Sequence, residues 1–282
     1  MARTRGWLPV VLVAALVGAA VILLGLRIVP TLHTPGLGAA PAPSGAGHRA
    51  WNVVGLGDSI TSGQGCPGCV PFVDLYAQQI TRTTSLQATV TNLGVGGWTS
   101  SDLLTSLSDR GPNSQHVRDS DIIIVTIGAN DFLPMLDTAL RGDCGGADGL
   151  SCFGSALTVL RDNLTAILHR IQQLRAGQLT AVRVTGYWNV FLDGTVAART
   201  YGPSFQRSSS TLTQHVNGVI QEVAQEQGAQ YVDLYTPFKG EAGDDDDTPL
   251  LADDGDHPNQ AGHQEIADSL TQAGYAPLRI GP

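Results

Sequence analysis

Four short segments hold the residue types that nucleophilic catalysis requires. The first is Gly57-Asp58-Ser59-Ile60, whose serine hydroxyl becomes a nucleophile once a neighbouring base takes its proton. By itself Gly-Asp-Ser is also an ordinary turn or helix-capping sequence. The second runs from Asn92 to Trp98, with Gly94, Gly96 and Gly97. Its glycines let a backbone approach a ligand and expose amide donors; alone it reads first as a flexible turn. The third is Gly128-Ala129-Asn130-Asp131, in which Asn130 can aim an amide at a developing oxyanion or cap a helix. The fourth is Asp254-Gly255-Asp256-His257-Pro258. Asp254 stands three positions before His257, a spacing that can bring a carboxylate to an imidazole, fix its tautomer and stabilise its cation. Asp256 is the competing partner, but adjacent side chains usually point apart, so Asp254 is expected to orient the ring.

These segments need a scaffold that gathers them. From Trp51 onward the pattern alternates strand, turn and helix. Strands are predicted over Asn52–Leu56, Leu86–Asn92, Asp121–Ile127, Ala181–Tyr187 and Gln230–Leu234. The unbroken Ile/Val run after Asp121 suits a strand covered on both faces. Helices are predicted over Val70–Arg82, Ser100–Ser108, Gly154–Ala176, Ser204–Gln227 and Asn259–Gln272, with Pro258 suited to start the last. This alternation implies the α/β class: a three-layer α/β/α sandwich with a five-stranded parallel sheet. Such sheets place their sites at the carboxyl ends of the strands. Three of the four segments directly follow predicted strands. The chain has no internal repeat.

The flanks and composition set the compartment. Leu8 to Leu26 is uncharged, and as a helix would span about 28 Å, close to the roughly 30 Å hydrocarbon core. Arg3 and Arg5 before it would keep the N-terminus in the cytoplasm and send the rest outward. Its length favours an uncleaved membrane anchor over a signal peptide, and both export the remainder. The expected organisation is therefore an anchor or signal over 1–29, a Pro/Gly/Ala-rich linker over 30–49, and a catalytic domain over 50–282. With 42% hydrophobic and 15% charged residues, the chain is a folded protein. Its net charge is −9, and four of its basic residues (Arg3, Arg5, Arg27, Arg49) precede Ala50 while no acid precedes Asp58. A domain this acidic has no electrostatic basis for binding nucleic acid. Cys66, Cys69, Cys144 and Cys152 all lie in the exported part, where an even number suits disulfides. Three pairings are open: the nearest-neighbour one, and two that join the loops after Ser59 and after Asn130. A redox Cys-x-x-Cys or a four-cysteine zinc site fits the spacing less well.

Taken together and in order, the four segments closely resemble the blocks of the GDSL, or SGNH, hydrolase family. They do not match the α/β-hydrolase elbow Gly-x-Ser-x-Gly, because Thr61 stands where its second glycine belongs. The resemblance runs from about Val53 to the C-terminal helix. It implies that Ser59 is the nucleophile, His257 the general base and Asp254 its orienting acid. It also implies an oxyanion hole made by the backbone amides of Ser59 and Gly97 and the side chain of Asn130. Ile60 replaces the leucine of the family name; no catalytic position is missing, which argues against a dead binding module. The implied activity is carboxylic ester hydrolysis through an acyl-serine, with no metal or organic cofactor. Small-molecule or lipid esters are the leading substrates. O-acetyl groups on a polysaccharide, or acyl transfer to an alcohol, are the alternatives.

Other features receive plain readings. The run Asp244–Asp247 lacks the EF-hand pattern and is expected to be a solvated loop. Tyr187, Trp188 and Phe191 line an acyl or sugar site or fill the core. His116, His169, His215 and His263 carry no partner pattern. The sequon Asn163-Leu164-Thr165 falls inside a predicted helix.

Overall fold

The computed structural model describes residues 50–280 apart from Asp148; the expected anchor and linker lie outside the described residues. Among the described residues no helix is long and apolar enough to cross a membrane. Five strands, β1 (Trp51–Gly57), β2 (Ala88–Gly94), β3 (Ile122–Thr126), β4 (Ala181–Thr185) and β5 (Gln230–Val232), form one parallel sheet in the order β2-β1-β3-β4-β5. Each falls within or beside its predicted range. The helices are α1 (Ser59–Ser62), α2 (Phe72–Thr84), α3 (Ser100–Ser106), α4 (Ser114–Arg118), α5 (Leu133–Leu140), α6 (Gly154–Leu174), α7 (Gly194–Thr200), α8 (Pro203–Glu226), α9 (Tyr235–Lys239) and α10 (Gln260–Gln272). Of these, α1, α4, α5, α7 and α9 were not foreseen. None exceeds eight residues, too few turns for an apolar stripe to repeat.

The burial explains the layers. All side chains of Ile122 to Val125 are fully buried, because β3 is the central strand and helices cover both its faces. Helices α2 and α10 pack together, and α6 packs against both α3 and α8, giving the two helical layers. The chain leaves β1 for β2 on one side and then returns to β3 on the other. The topological switch point therefore lies between β1 and β3, where the turns diverge and open a crevice at the carboxyl edge. Ser59 follows β1 and Asn130 follows β3, so two of the candidate residues flank this crevice.

Helix α10 carries a buried histidine. His263 is fully buried, stacks on Phe72 with ring centroids 6.3 Å apart, and among the described residues neither ring nitrogen has a hydrogen-bond partner. Burial, with a smaller contribution from His257, pulls its pKa down to about 4. A histidine held neutral in the fold stabilises it above the unfolded-state value near 6.5. That stabilisation is lost as pH falls toward 4, and amounts to roughly 3 kcal/mol. His263→Phe keeps the ring contact and removes the proton site. Urea unfolding at pH 7 and pH 4 is expected to show a smaller acid loss in this variant than in the parent; equal losses would show that His263 does not set the acid sensitivity.

Candidate active site

The first loop is shaped by what its glycines lack. A Cβ on Gly57 would lie 2.0 Å from the Thr126 carbonyl oxygen, so only glycine lets the end of β1 pass the end of β3. Asp58 then caps α1, its Oδ1 accepting the Ile60 N–H at 3.0 Å, and Ser59 becomes the first helical residue, half-buried. The Ser59 carbonyl accepts from Gln64 N (3.0 Å) and from Ser62 Oγ (2.9 Å), which closes the turn. Asp58 is fully buried, and its other oxygen accepts the Tyr187 hydroxyl at 3.1 Å. Burial pushes the Asp58 carboxyl up to about 7 against the opposing hydrogen bonds from Ile60 and Tyr187. The Ala129 N–H donates to the same Tyr187 hydroxyl at 3.4 Å. One phenol thus ties the loop after β1 to the loop after β3. Sequence reading missed this role, and no local signal marks it. Tyr187 and Trp188 prove to be fully buried core residues, not lining of an open site.

The glycine segment packs directly on this loop. Asn92 donates to the Thr61 carbonyl (2.7 Å) and accepts from Gly94 N (3.0 Å); a Cβ on Gly94 would lie 2.3 Å from Ser62 N. Gly97 has φ +81 and is exposed, and a Cβ there would meet no neighbour within 4 Å. The next residue, Trp98, offers its carbonyl to Asn130 Nδ2 at 2.8 Å, which brings Asn130 to the Gly97 loop and fixes the amide plane. Asp131 anchors the same turn by accepting from Ser100 N (2.9 Å) and Ser100 Oγ (2.5 Å). Asn163 is half-buried and donates to Ser100 Oγ at 2.9 Å, so the sequon asparagine braces this turn.

The fourth segment forms a tight turn before α10. Its ends are held by Ala252 N to the His257 carbonyl at 2.8 Å and by a Leu251–Pro258 bridge. His257 N donates to Asp254 Oδ1 at 3.1 Å, and His257 Nδ1 lies 2.8 Å from Asp254 Oδ2. The same Nδ1 lies 2.8 Å from Asp256 Oδ1, which corrects the expectation that Asp256 points away. Gly255, at φ +82, reverses the chain between the two acids, so that both face the ring. Burial pulls the imidazole down, but the Asp256 and Asp254 carboxylates outweigh it and hold His257 at about 9. A Cβ on Gly65 would lie 2.4 Å from His257 Cβ, so the ring rests against the end of the Ser59 loop.

The disulfides take the nearest-neighbour pairing, Cys66–Cys69 and Cys144–Cys152; neither joins the two loops. The first closes the stretch between Gly65 and Val70, whose N–H donates to Gln260 Oε1 of α10 at 2.8 Å. The second closes the loop after α5. That loop, α5, Phe191 and the start of α8 line a largely apolar hollow of about 390 Å³. The four-aspartate run is only partly a solvated loop. Asp244 to Asp246 are exposed, but Asp247 is buried beside Lys239.

Comparison with known proteins agrees with this arrangement. Residues 56–265 match the GDSL-like lipase/acylhydrolase family. No curated protein matches the chain with significance. Among solved structures, a lipase from a goat rumen metagenome is 21% identical with a TM-score of 0.67, over 81% of this chain and 100% of the other. An extracellular lipase from Streptomyces rimosus is 21% identical with a TM-score of 0.59, over 79% and 100%. A variant of an acetyl-xylooligosaccharide esterase from Geobacillus stearothermophilus is 18% identical with a TM-score of 0.56, over 81% and 96%. At these identities the likeness establishes the shared fold, while the family match covers most of the chain. The chain belongs to the GDSL-like lipase/acylhydrolase family and is a carboxylic ester hydrolase.

Proposed function

We propose that this hydrolase works outside the cytoplasm and cleaves esters through an acyl intermediate on Ser59, with His257 as general base. The observation that carries the reading is the pair of carboxylate oxygens 2.8 Å from His257 Nδ1, on a ring seated against the Ser59 loop. Carboxylates at Nδ1 hold the proton there and leave Nε2 as the basic nitrogen. Nε2 takes the Ser59 proton as Oγ attacks the acyl carbon, then returns it to the leaving alcohol. Water repeats the cycle on the acyl-serine. The oxyanion is met by the Ser59 and Gly97 amides and by Asn130. Trp98 occupies one of the two Asn130 amide protons, which orients the other as a donor. The extracytoplasmic setting is supported by the two disulfides. Lipid or other acyl esters are favoured as substrates by the apolar hollow beyond the Asn130 turn. Deacetylation of a polysaccharide is the second reading, and the esterase of that class among the structural neighbours favours it.

Hydrolysis of p-nitrophenyl esters from acetyl to palmitoyl separates these readings: a maximum at longer chains supports lipid esters, and one confined to acetyl supports deacetylation. Ser59→Ala and His257→Ala are each expected to lower kcat by roughly 10³-fold or more. Full activity in either variant, in a folded chain, overturns the serine mechanism. Asn130→Ala should cost on the order of 10²–10³ in kcat with KM little changed.

The two acids generate a further expectation. Because each still leaves one carboxylate on Nδ1, Asp254→Asn or Asp256→Asn alone should cost about tenfold, and the pair roughly 10³–10⁴-fold. His257 is active as a base only when neutral, and its pKa is raised to about 9. kcat/KM should therefore climb through neutral pH and level off above about 9, and in the double variant the rise should move toward about 6.5. A pH–rate profile of the four proteins checks both statements. A plateau already reached at pH 7 in the parent would show that the acids do not hold the ring protonated.

A further inference from the structure

Lys239 is the only lysine in the chain, and it is buried. Lysine normally lays its stem on apolar surface and keeps its ammonium in water, so a buried one needs charged partners. Its Nζ lies 2.8 Å from Asp193 Oδ2 and 3.5 Å from Asp247 Oδ1, and both aspartates are themselves almost fully buried. Asp193 Oδ1 also accepts from Gly194 N (2.8 Å), capping α7, and from Gln206 Nε2 (3.2 Å). Burial, with Asp193 alongside, pushes Asp247 up to about 7. The Lys239 ammonium thus stands between two buried carboxyl groups.

The cluster leads by short steps to the catalytic turn. The Asp193 N–H donates to the Gly255 carbonyl at 2.8 Å, and Gly255 is the residue between Asp254 and Asp256. A Cβ on Gly255 would lie 2.6 Å from Val196 Cβ, so α7 presses directly on that turn. Asp247 begins the segment that runs into the turn. Its carbonyl accepts from Leu250 N at 2.8 Å, and the Leu250 carbonyl accepts from Asn259 N at 2.9 Å, just beyond His257. Thr195 N donates to Thr248 Oγ1 at 3.0 Å, tying the same segment to α7.

We propose that Lys239, by clamping Asp193 to Asp247, is a positioning residue that fixes the Gly255 carbonyl and so makes both carboxylates converge on His257 Nδ1. This rests on the reading of His257 as general base. An ion cluster suits the task better than an apolar plug. Packing of equal volume can match its stability, but hydrogen bonds specify direction and distance at one peptide group.

The test uses the full chain with Lys239→Met and, as an isosteric change that keeps the Asp193 backbone bond, Asp193→Asn. Folding is verified by circular dichroism and thermal unfolding. The first readout is the titration of the His257 ring by NMR, which needs no turnover; the second is kcat and KM for a p-nitrophenyl ester. Lys239→Met is expected to move the His257 midpoint down from about 9 by at least one pH unit and to lower kcat at least tenfold with KM within twofold. Asp193→Asn should move both in the same direction by less, and carries the test if Lys239→Met does not fold. A folded variant with the parent's midpoint and kcat overturns the positioning role. If a serine-directed phosphonate fails to label Ser59 in the parent, the hydrolytic mechanism falls, while the ring titration still decides what Lys239 does.

Discussion

The site depends on backbones touching where side chains would normally keep them apart. At the switch point of a parallel sheet, the turns after neighbouring strands diverge and leave a crevice. Here that crevice is drawn tight by three missing Cβ atoms. At Gly57, β1 passes the end of β3; at Gly94, β2 closes on α1; at Gly65, the Ser59 loop meets the His257 ring. An added methyl at each would fall 2.0, 2.3 and 2.4 Å from its neighbour, well inside contact distance. Glycine is costly to order, and these positions accept that cost because any side chain would force the neighbouring segments apart.

Polar groups then lock what the glycines allow. Tyr187 reaches from the end of β4 to both Asp58 and the Ala129 amide, so the Ser59 loop and the Asn130 turn share one anchor. Ser100, Asp131 and Asn163 hold the asparagine turn from the α6 side. Lys239 with its two aspartates holds the histidine turn from the α7 side. Each network is buried or half-buried, where a hydrogen bond is electrostatically stronger and an unmet one more damaging than at the surface. Rigidity is thereby concentrated where reacting groups must be held to a fraction of an ångström. The two disulfides each close a short loop, one just after Gly65 and one after α5, without joining the loops to one another.

The electrostatics of the turn favour a protonated histidine. Two carboxylates against one Nδ1 raise the ring's pKa more than a single partner would, and in the proposed mechanism they would stabilise the imidazolium formed as serine attacks. The same feature favours the charged ring at neutral pH, so the neutral form that the proposed general-base role requires would predominate only under alkaline conditions. The fully buried Asp58, held by Tyr187 and the helix cap, faces the opposite pressure and is raised toward neutrality. Asp58 and Asp254 are thus shifted in opposite directions by their burial and hydrogen bonding, not by residue type.

Local pattern alone determined much of this protein. Apolar runs placed the five strands, and long amphipathic spacing placed α2, α6, α8 and α10, because both depend on neighbours within a few turns. Gly-Asp-Ser, Gly-Ala-Asn-Asp and Asp-Gly-Asp-His-Pro were visible for the same reason: each is a contiguous run of residues. Tertiary structure decided the rest. Asp58 meets Tyr187 across 129 positions and Lys239 meets Asp193 across 46, so no periodicity could pair them. Asp256 was misjudged because its direction depends on the left-handed Gly255, which is pinned by a peptide group of another loop. The four aspartates were read as one solvated run, yet the last is drawn inside by an ammonium that only folding brings near. Residue type reveals which chemistry is available; burial and the contact partners decide which charge each group carries and which way it points.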